Sequence, residues 1–155
     1  MADWTRRMLI LARHIAAWSK DGSTKHGCVI TGPANEIRST GYNGLPRKVD
    51  LYDDEAIVAK RPEKYFWFEH AERNAIYNAA RMGISLEGCT AYVTSPVCAD
   101  CGRAFIQSGI SNIFIPHDHL FGEGWNIEDR WLDSCNRAIV MCKYAGVNYE
   151  VVNGL

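Results

Sequence analysis

Trp4, Met8, Leu11, Ile15 and Trp18 recur at steps of four and three, which predicts one apolar face of a helix opening at Asp3. Such a face needs a sheet to cover it. "CVIT" (28–31) and "EIRSTGYN" (36–43) flank the turn "GPAN" and predict a β-hairpin. "EHAERNAIYNAARMG" (69–83) is rich in helix formers and stops at a glycine C-cap signal. "TAYVT" (90–94) and "NIFI" (112–115) predict strands, separated by "CADCGRAFIQSG", a helix closed by Gly109. A last helix over 127–145 leads to a final strand, "NYEVV" (148–152). Strands alternating with helices imply parallel pairing through crossovers. The expected fold is therefore one α/β domain over residues 1–155: a three-layer α/β/α sandwich with a five-stranded mixed sheet and helices on both faces. From Gly44 to Phe68 no period is sustained, as expected of a lid, with "DDEAIVAK" as a short helix within it. The aromatic run "YFWFEH" (65–70) is expected to pack as core, with base stacking or a subunit contact as the alternative and Tyr65 and Phe66 as candidates for a pocket entrance.

Charge narrows the range of partners. Seventeen basic and 18 acidic residues give a net charge of −1, and the basic residues are scattered, so no nucleic-acid polymer is expected. Small anions stay open, because two or three placed cations hold a phosphate without changing the total. No apolar run reaches membrane length. Six cysteines without a signal-peptide pattern point to a reducing, cytoplasmic setting, where paired cysteines are more often metal ligands than disulfides.

Cys98 and Cys101, at the head of a predicted helix, have a spacing that zinc sites use repeatedly, and the helix dipole favours the Cys98 thiolate. His70, also opening a helix, raises the ligand count to three, which leaves a tetrahedral zinc one position for water. A structural zinc would need a fourth ligand from Cys28, Cys89, Cys135, Cys142 or a histidine, none of which is paired in spacing with the site. Glu72, two residues after His70, suits proton transfer rather than ligation. The order H-x-E followed by P-C-x-x-C is the signature of zinc deaminases, and His70-Ala71-Glu72 with Pro96-Val97-Cys98-Ala99-Asp100-Cys101 matches it with one departure. Val97 stands between the proline and the first cysteine. His117, Asp118 and His119 are ligand types too, but in an extended segment they point to opposite sides. Cys135 and Cys142 read as core on the last helix, Cys28 and Cys89 as small hydrophobes on strands. His14 and His26 have no visible partner and read as surface or capping residues.

"SKDGSTKHGCVI", "GYNGLPR", "HAERNAIYNAA", "CADCGRAFIQSGI" and "YAGV", in this order along nearly the whole chain, resemble the deoxycytidylate (dCMP) deaminase family. The resemblance implies one catalytic zinc per chain held by His70, Cys98 and Cys101. It implies hydrolysis of dCMP to dUMP and ammonia, supplying dUMP for dTMP synthesis, with Glu72 shuttling protons. It also implies a homo-oligomer, commonly a hexamer, with dCTP and dTTP as effectors. By the same resemblance Ala71 and Ser95 contact the base through their backbone and Asn43 the sugar, although Asn43-Gly44 is also a common turn dipeptide. Thr24 and Lys25, with Ser23, fall where the family meets the phosphate, and Arg47 and Lys48 are further phosphate or regulatory contacts. Relatives often carry a glycine soon after the proline of "GYNGLP", where this chain has Arg47-Lys48-Val49.

Other readings share these residues. The substrate of the same chemistry could be dCTP, a modified cytosine nucleotide, cytidine, guanine, a riboflavin precursor or adenosine in tRNA, the last disfavoured by the charge balance. A catalytically inactive, nucleotide-binding zinc module is the non-enzymatic reading, and Glu72 argues against it.

Overall fold

The computed structural model describes residues 3–49, 60–117 and 129–153. Helix α1 (Asp3–Ala16) precedes the hairpin of β1 (Gly27–Thr31) and β2 (Ile37–Tyr42). The short α2 (Lys64–Trp67) and then α3 (Ala71–Met82), β3 (Thr90–Val93) and α4 (Ala99–Gln107) follow. The chain continues through β4 (Asn112–Pro116), α5 (Asp129–Ala145) and β5 (Asn148–Val152). The strands form one mixed sheet in the order β2-β1-β3-β4-β5, with β1 antiparallel to both neighbours and β3, β4 and β5 mutually parallel. Parallel neighbours need crossovers. Here α4 and α5 supply them, as the alternating pattern predicts.

Strand β1 is buried along its whole length because both of its faces are covered. Cys28 and Ile30 enter a core with Ala71, Ala75, Val93, Val97 and Phe105, while Val29 meets Met8, Leu9, Ala12 and Ile15 of α1 on the opposite side. Phe105 is fully buried, a contribution of roughly 2–3 kcal/mol from its ring alone. Two glycines set the layer spacing. A Cβ on Gly27 would stand 2.1 Å from the Ala12 carbonyl oxygen of α1, and one on Gly41 would stand 2.3 Å from that of Ala71 in α3. Both helices therefore lie backbone to backbone on the hairpin.

That close approach corrects the expected face of α1. Its buried residues include Met8, Leu9, Ala12, Ile15 and Ala16, whereas Trp4 and Trp18 are 44% and 53% exposed. Alanines fit where the strand offers only a glycine; indoles do not. The aromatic run before α3 also departs from expectation. Phe66 is 81% exposed and Trp67 38%, while Lys64 is the buried residue of α2, because a four-residue helix turns only one side inward. The centre of the expected lid, most of "DDEAIVAK", and Asp118 and His119 lie outside the described residues. All six cysteines are free and buried. Among the described residues no helix is long and apolar enough to cross a membrane.

Candidate active site

The ends of three strands converge at one edge of the sheet. Antiparallel pairing of β1 with β2 and β3 sets Gly27 opposite Tyr42 and Cys28 opposite Val93. His26 before β1, Asn43 after β2 and Ser95 after β3 are thereby brought together with the N-termini of α3 and α4. Ligands in α/β sheets bind outside the carboxyl ends of parallel strands, where such loops meet helix N-termini.

His70 and Cys98 are the N-cap residues of α3 and α4, both in extended conformation and neither capping its helix with its side chain. Their side chains face each other across the cleft. His70 Nδ1 lies 3.6 Å from Cys98 Sγ and 3.5 Å from Cys101 Sγ, and the three ligand atoms fall within 4.8 Å of one another. Tetrahedral zinc with Zn–N near 2.05 Å and Zn–S near 2.3 Å requires an N···S edge of about 3.6 Å. The donor set fits zinc in chemistry and in spacing. Hydrogen bonding from the Cys101 thiol and from His70 holds the Cys98 thiol down at about 4, while the Cys101 thiol is pushed up by its Cys98 neighbour and by burial. A bound dication would hold both sulfurs as thiolates, and for Cys101 would displace the proton.

Glu72, 4% exposed, sits in the first turn of α3, and burial pushes its carboxyl above the ordinary range, with His70 opposing. That is the environment a proton carrier needs. Helix α3 is held in place by its own polar side chains. Asn74 and Asn78 donate to the Tyr42 and Thr40 carbonyl oxygens on the free edge of β2, and Ser39 Oγ donates to the Ala75 carbonyl oxygen at 2.6 Å. Backbone hydrogen bonds in both directions join Gly44 to Glu69, one residue before His70.

Above these groups opens a cavity of about 360 Å³, within the size range of small-molecule sites. His70, Ala71, Glu72, Ser95, Cys98, Asn43 and Thr24 line it, so most of the residues singled out from the sequence meet here. Lys25, Arg47 and Lys48 are exposed and do not line the cavity. Arg47 bonds Asn78 Oδ1 instead, and Lys48 has φ 68°, the left-handed backbone that favours the glycine expected nearby. Asn43 is buried, with both ends of its amide bonded within the fold and one acceptor position of Oδ1 left over. Its Oδ1 accepts from the His26 backbone N–H at 2.7 Å, and its Nδ2 donates to Asp21 Oδ2 and to the Thr24 carbonyl oxygen.

Several wall residues escaped the sequence reading, among them His26, Arg61, Lys64, Trp131 and Cys135. Lys64 pairs with the buried Asp21 and donates to Ser23 Oγ at 2.7 Å. Burial alone would raise the Asp21 carboxyl, but hydrogen bonds from Lys64 and Ser23 hold it below its usual range. The Trp131 ring lies 5.7 Å from His70 and 6.0 Å from Tyr65, making an aromatic side wall. Neither Lys64 nor Trp131 stands in a recognisable motif, and only folding brings them beside His70. For His26, its place within "GSTKHG" was the available signal. Burial, followed by the positive charges of His70 and Lys64, holds its imidazole at about 4, so it is neutral in the fold at pH 6.5, where the unfolded chain begins to take up a proton. Stability attributable to this group is therefore lost as pH falls from 6.5 towards 4, by up to about 3 kcal/mol. Denaturant unfolding of His26→Gln should show a shallower acid slope than the parent; parallel slopes would contradict it.

The comparisons with known proteins agree with this geometry. Residues 2–117 match the family model described as the cytidine and deoxycytidylate deaminase zinc-binding region. The deoxycytidylate deaminase of Mus musculus is 30% identical over 155 residues, covering 96% of this chain and 79% of that one. That of Enterobacteria phage T2 is 57% identical over 143 residues, covering 68% of this chain and 76% of that one. In fold, the crystal structure of dCMP deaminase from the cyanophage S-TIM5 in complex with dCMP and dUMP superposes with a TM-score of 0.71 at 21% identity, covering 98% and 99% of the two chains. A histidine and two cysteines at zinc spacing, a buried glutamate beside them and a family match spanning all four lead to one conclusion: the chain belongs to the cytidine and deoxycytidylate deaminase family of zinc enzymes.

Proposed function

We propose that the chain, as a single zinc deaminase domain over 1–155, hydrolyses dCMP to dUMP and ammonia. The carrying observation is Glu72, buried beside the His70-Cys98-Cys101 cluster at the base of a nucleotide-sized cavity. Names of relatives across animals and phages support dCMP as the substrate. Zinc bound by His70, Cys98 and Cys101 supplies Lewis-acid activation of water. Glu72 takes one proton from the attacking water and passes it to N3 of the base. The second water proton moves to the departing amino nitrogen, the C4–N bond breaks as C4 gains its oxygen, and ammonia leaves. The backbone at Ala71 and Ser95 orients the base edge, and Asn43 is assigned to the sugar side. The aromatic wall of Trp131 and Tyr65 excludes water.

For the phosphate we assign Thr24 with Lys64 and Arg61, the cations of the wall, in preference to Lys25, Arg47 and Lys48. A cytoplasmic homo-oligomer, a hexamer by family resemblance, with dCTP and dTTP as effectors belongs to the same reading. Exposed Trp18, Phe66 and Tyr144 support association. The test is ammonia release from purified protein with dCMP, dCTP, CMP, cytidine and guanine, with and without dCTP or dTTP as effector. Turnover confined to dCMP is expected; a preference for guanine or cytidine would refute it. Lys64→Gln combined with Asp21→Asn keeps the buried pair neutral and should raise KM for dCMP on the order of tenfold, the worth of one charged hydrogen bond.

A further inference from the structure

Cys98 is flanked by two peptide N–H groups, and each finds its acceptor on the last third of the chain. The Val97 N–H donates to the Tyr149 hydroxyl of β5 at 3.1 Å, and the Ala99 N–H donates to Ser134 Oγ of α5 at 2.9 Å. Both acceptors lie beyond residue 117, where the family match ends. At a helix N-terminus the first N–H groups have no partner within the helix, and the N-cap side chain ordinarily supplies one. Cys98 cannot, because its sulfur is turned to His70. The zinc-deaminase signature has a proline immediately before this cysteine. Proline restrains φ and has no N–H to donate. Val97, fully buried, removes that restraint and introduces a donor that burial obliges to find an acceptor. Tyr149 supplies it from a strand locked in register with β4 opposite Ile113.

We infer that the hydroxyls of Ser134 and Tyr149 are positioning groups that clamp the backbone on either side of Cys98 and thereby set the zinc affinity of the site. The clamp acts through the main chain: it fixes where Sγ stands relative to His70 Nδ1 and Cys101 Sγ, without touching metal or substrate. Burial raises the Tyr149 phenol well above its ordinary range, which favours the neutral hydroxyl. The inference rests on the zinc reading of the three ligands.

Zinc affinity of the full chain, measured by competition with a chromophoric chelator, tests it without reference to turnover. Tyr149→Phe and Ser134→Ala keep the packing and delete the acceptors; each is expected to weaken zinc binding about tenfold, the usual scale for groups that orient a ligand. The ligand-field bands of the cobalt-substituted protein should shift in both. Val97→Pro deletes the donor, so Tyr149→Phe in that background should cost nothing further. Parent-like zinc affinity and cobalt spectra in both single variants would overturn the clamp, as would an undiminished effect of Tyr149→Phe beside Val97→Pro. If Val97→Pro fails to fold, the spectra and affinities of the single variants decide. A parent chain that binds no zinc would overturn the ligand assignment itself, a result distinct from a parent that binds and variants that match it.

Discussion

Glu72→Gln is expected to lower kcat for dCMP by 10²–10⁴-fold, toward the upper end because one carboxylate serves both proton transfers. Zinc content should stay at one per chain, since Glu72 is not among the three clustered ligands. The amide has nearly the shape of the acid but cannot carry a proton. Because burial opposes ionisation of this carboxyl, removing its charge should leave the melting temperature equal or higher. Atomic absorption, thermal melts and ammonia assays on one preparation separate these effects. A variant within tenfold of the parent rate would show that another group moves the protons.

Gly41→Ala should damage both stability and turnover, although it lies away from the ligands. The added methyl would stand 2.3 Å from the Ala71 carbonyl oxygen and 2.4 Å from the Ala75 nitrogen, both backbone atoms that no rotamer change can move. Relief requires α3 to retreat by about 1 Å. Overpacking of this kind costs about 1–3 kcal/mol, and a 1 Å misplacement of reacting groups about 10²-fold in rate. His70 and Glu72 ride on the first turn of that helix, so melting temperature and kcat should fall together. Gly44→Ala is the control, because a Cβ there meets nothing within 4 Å. Its stability should stay within about 0.5 kcal/mol of the parent. Equal behaviour of the two variants would mean that α3 is not seated on the hairpin as described.

Much of this site was legible because its chemistry is local. His70 and Glu72 sit two residues apart, Cys98 and Cys101 three apart, and each pair heads a helix recognisable from its own composition. The sheet was legible for a related reason: its strands are short runs bounded by glycine, proline or asparagine. The misreadings fell where the environment decides. Trp4 and Trp18 satisfy the helical period as well as Leu9 and Ala12 do, and only the close approach over Gly27 selects the smaller set. Lys64 resembles any surface lysine until Asp21, forty-three positions earlier, is folded beneath it. His26 looked like a capping residue and lines the cavity.

What residue order alone determined was the grouping of His70 with Glu72 and of Cys98 with Cys101 and the alternation of strands and helices, because each depends on neighbours within a turn or a strand. Which cations line the cavity, which face of α1 is buried and which hydroxyls hold the backbone around Cys98 were decided only by the tertiary structure. Those contacts join residues from 15 positions apart, for Ala12 and Gly27, to 52, for Val97 and Tyr149, and nothing in short-range periodicity encodes which distant side chain will arrive.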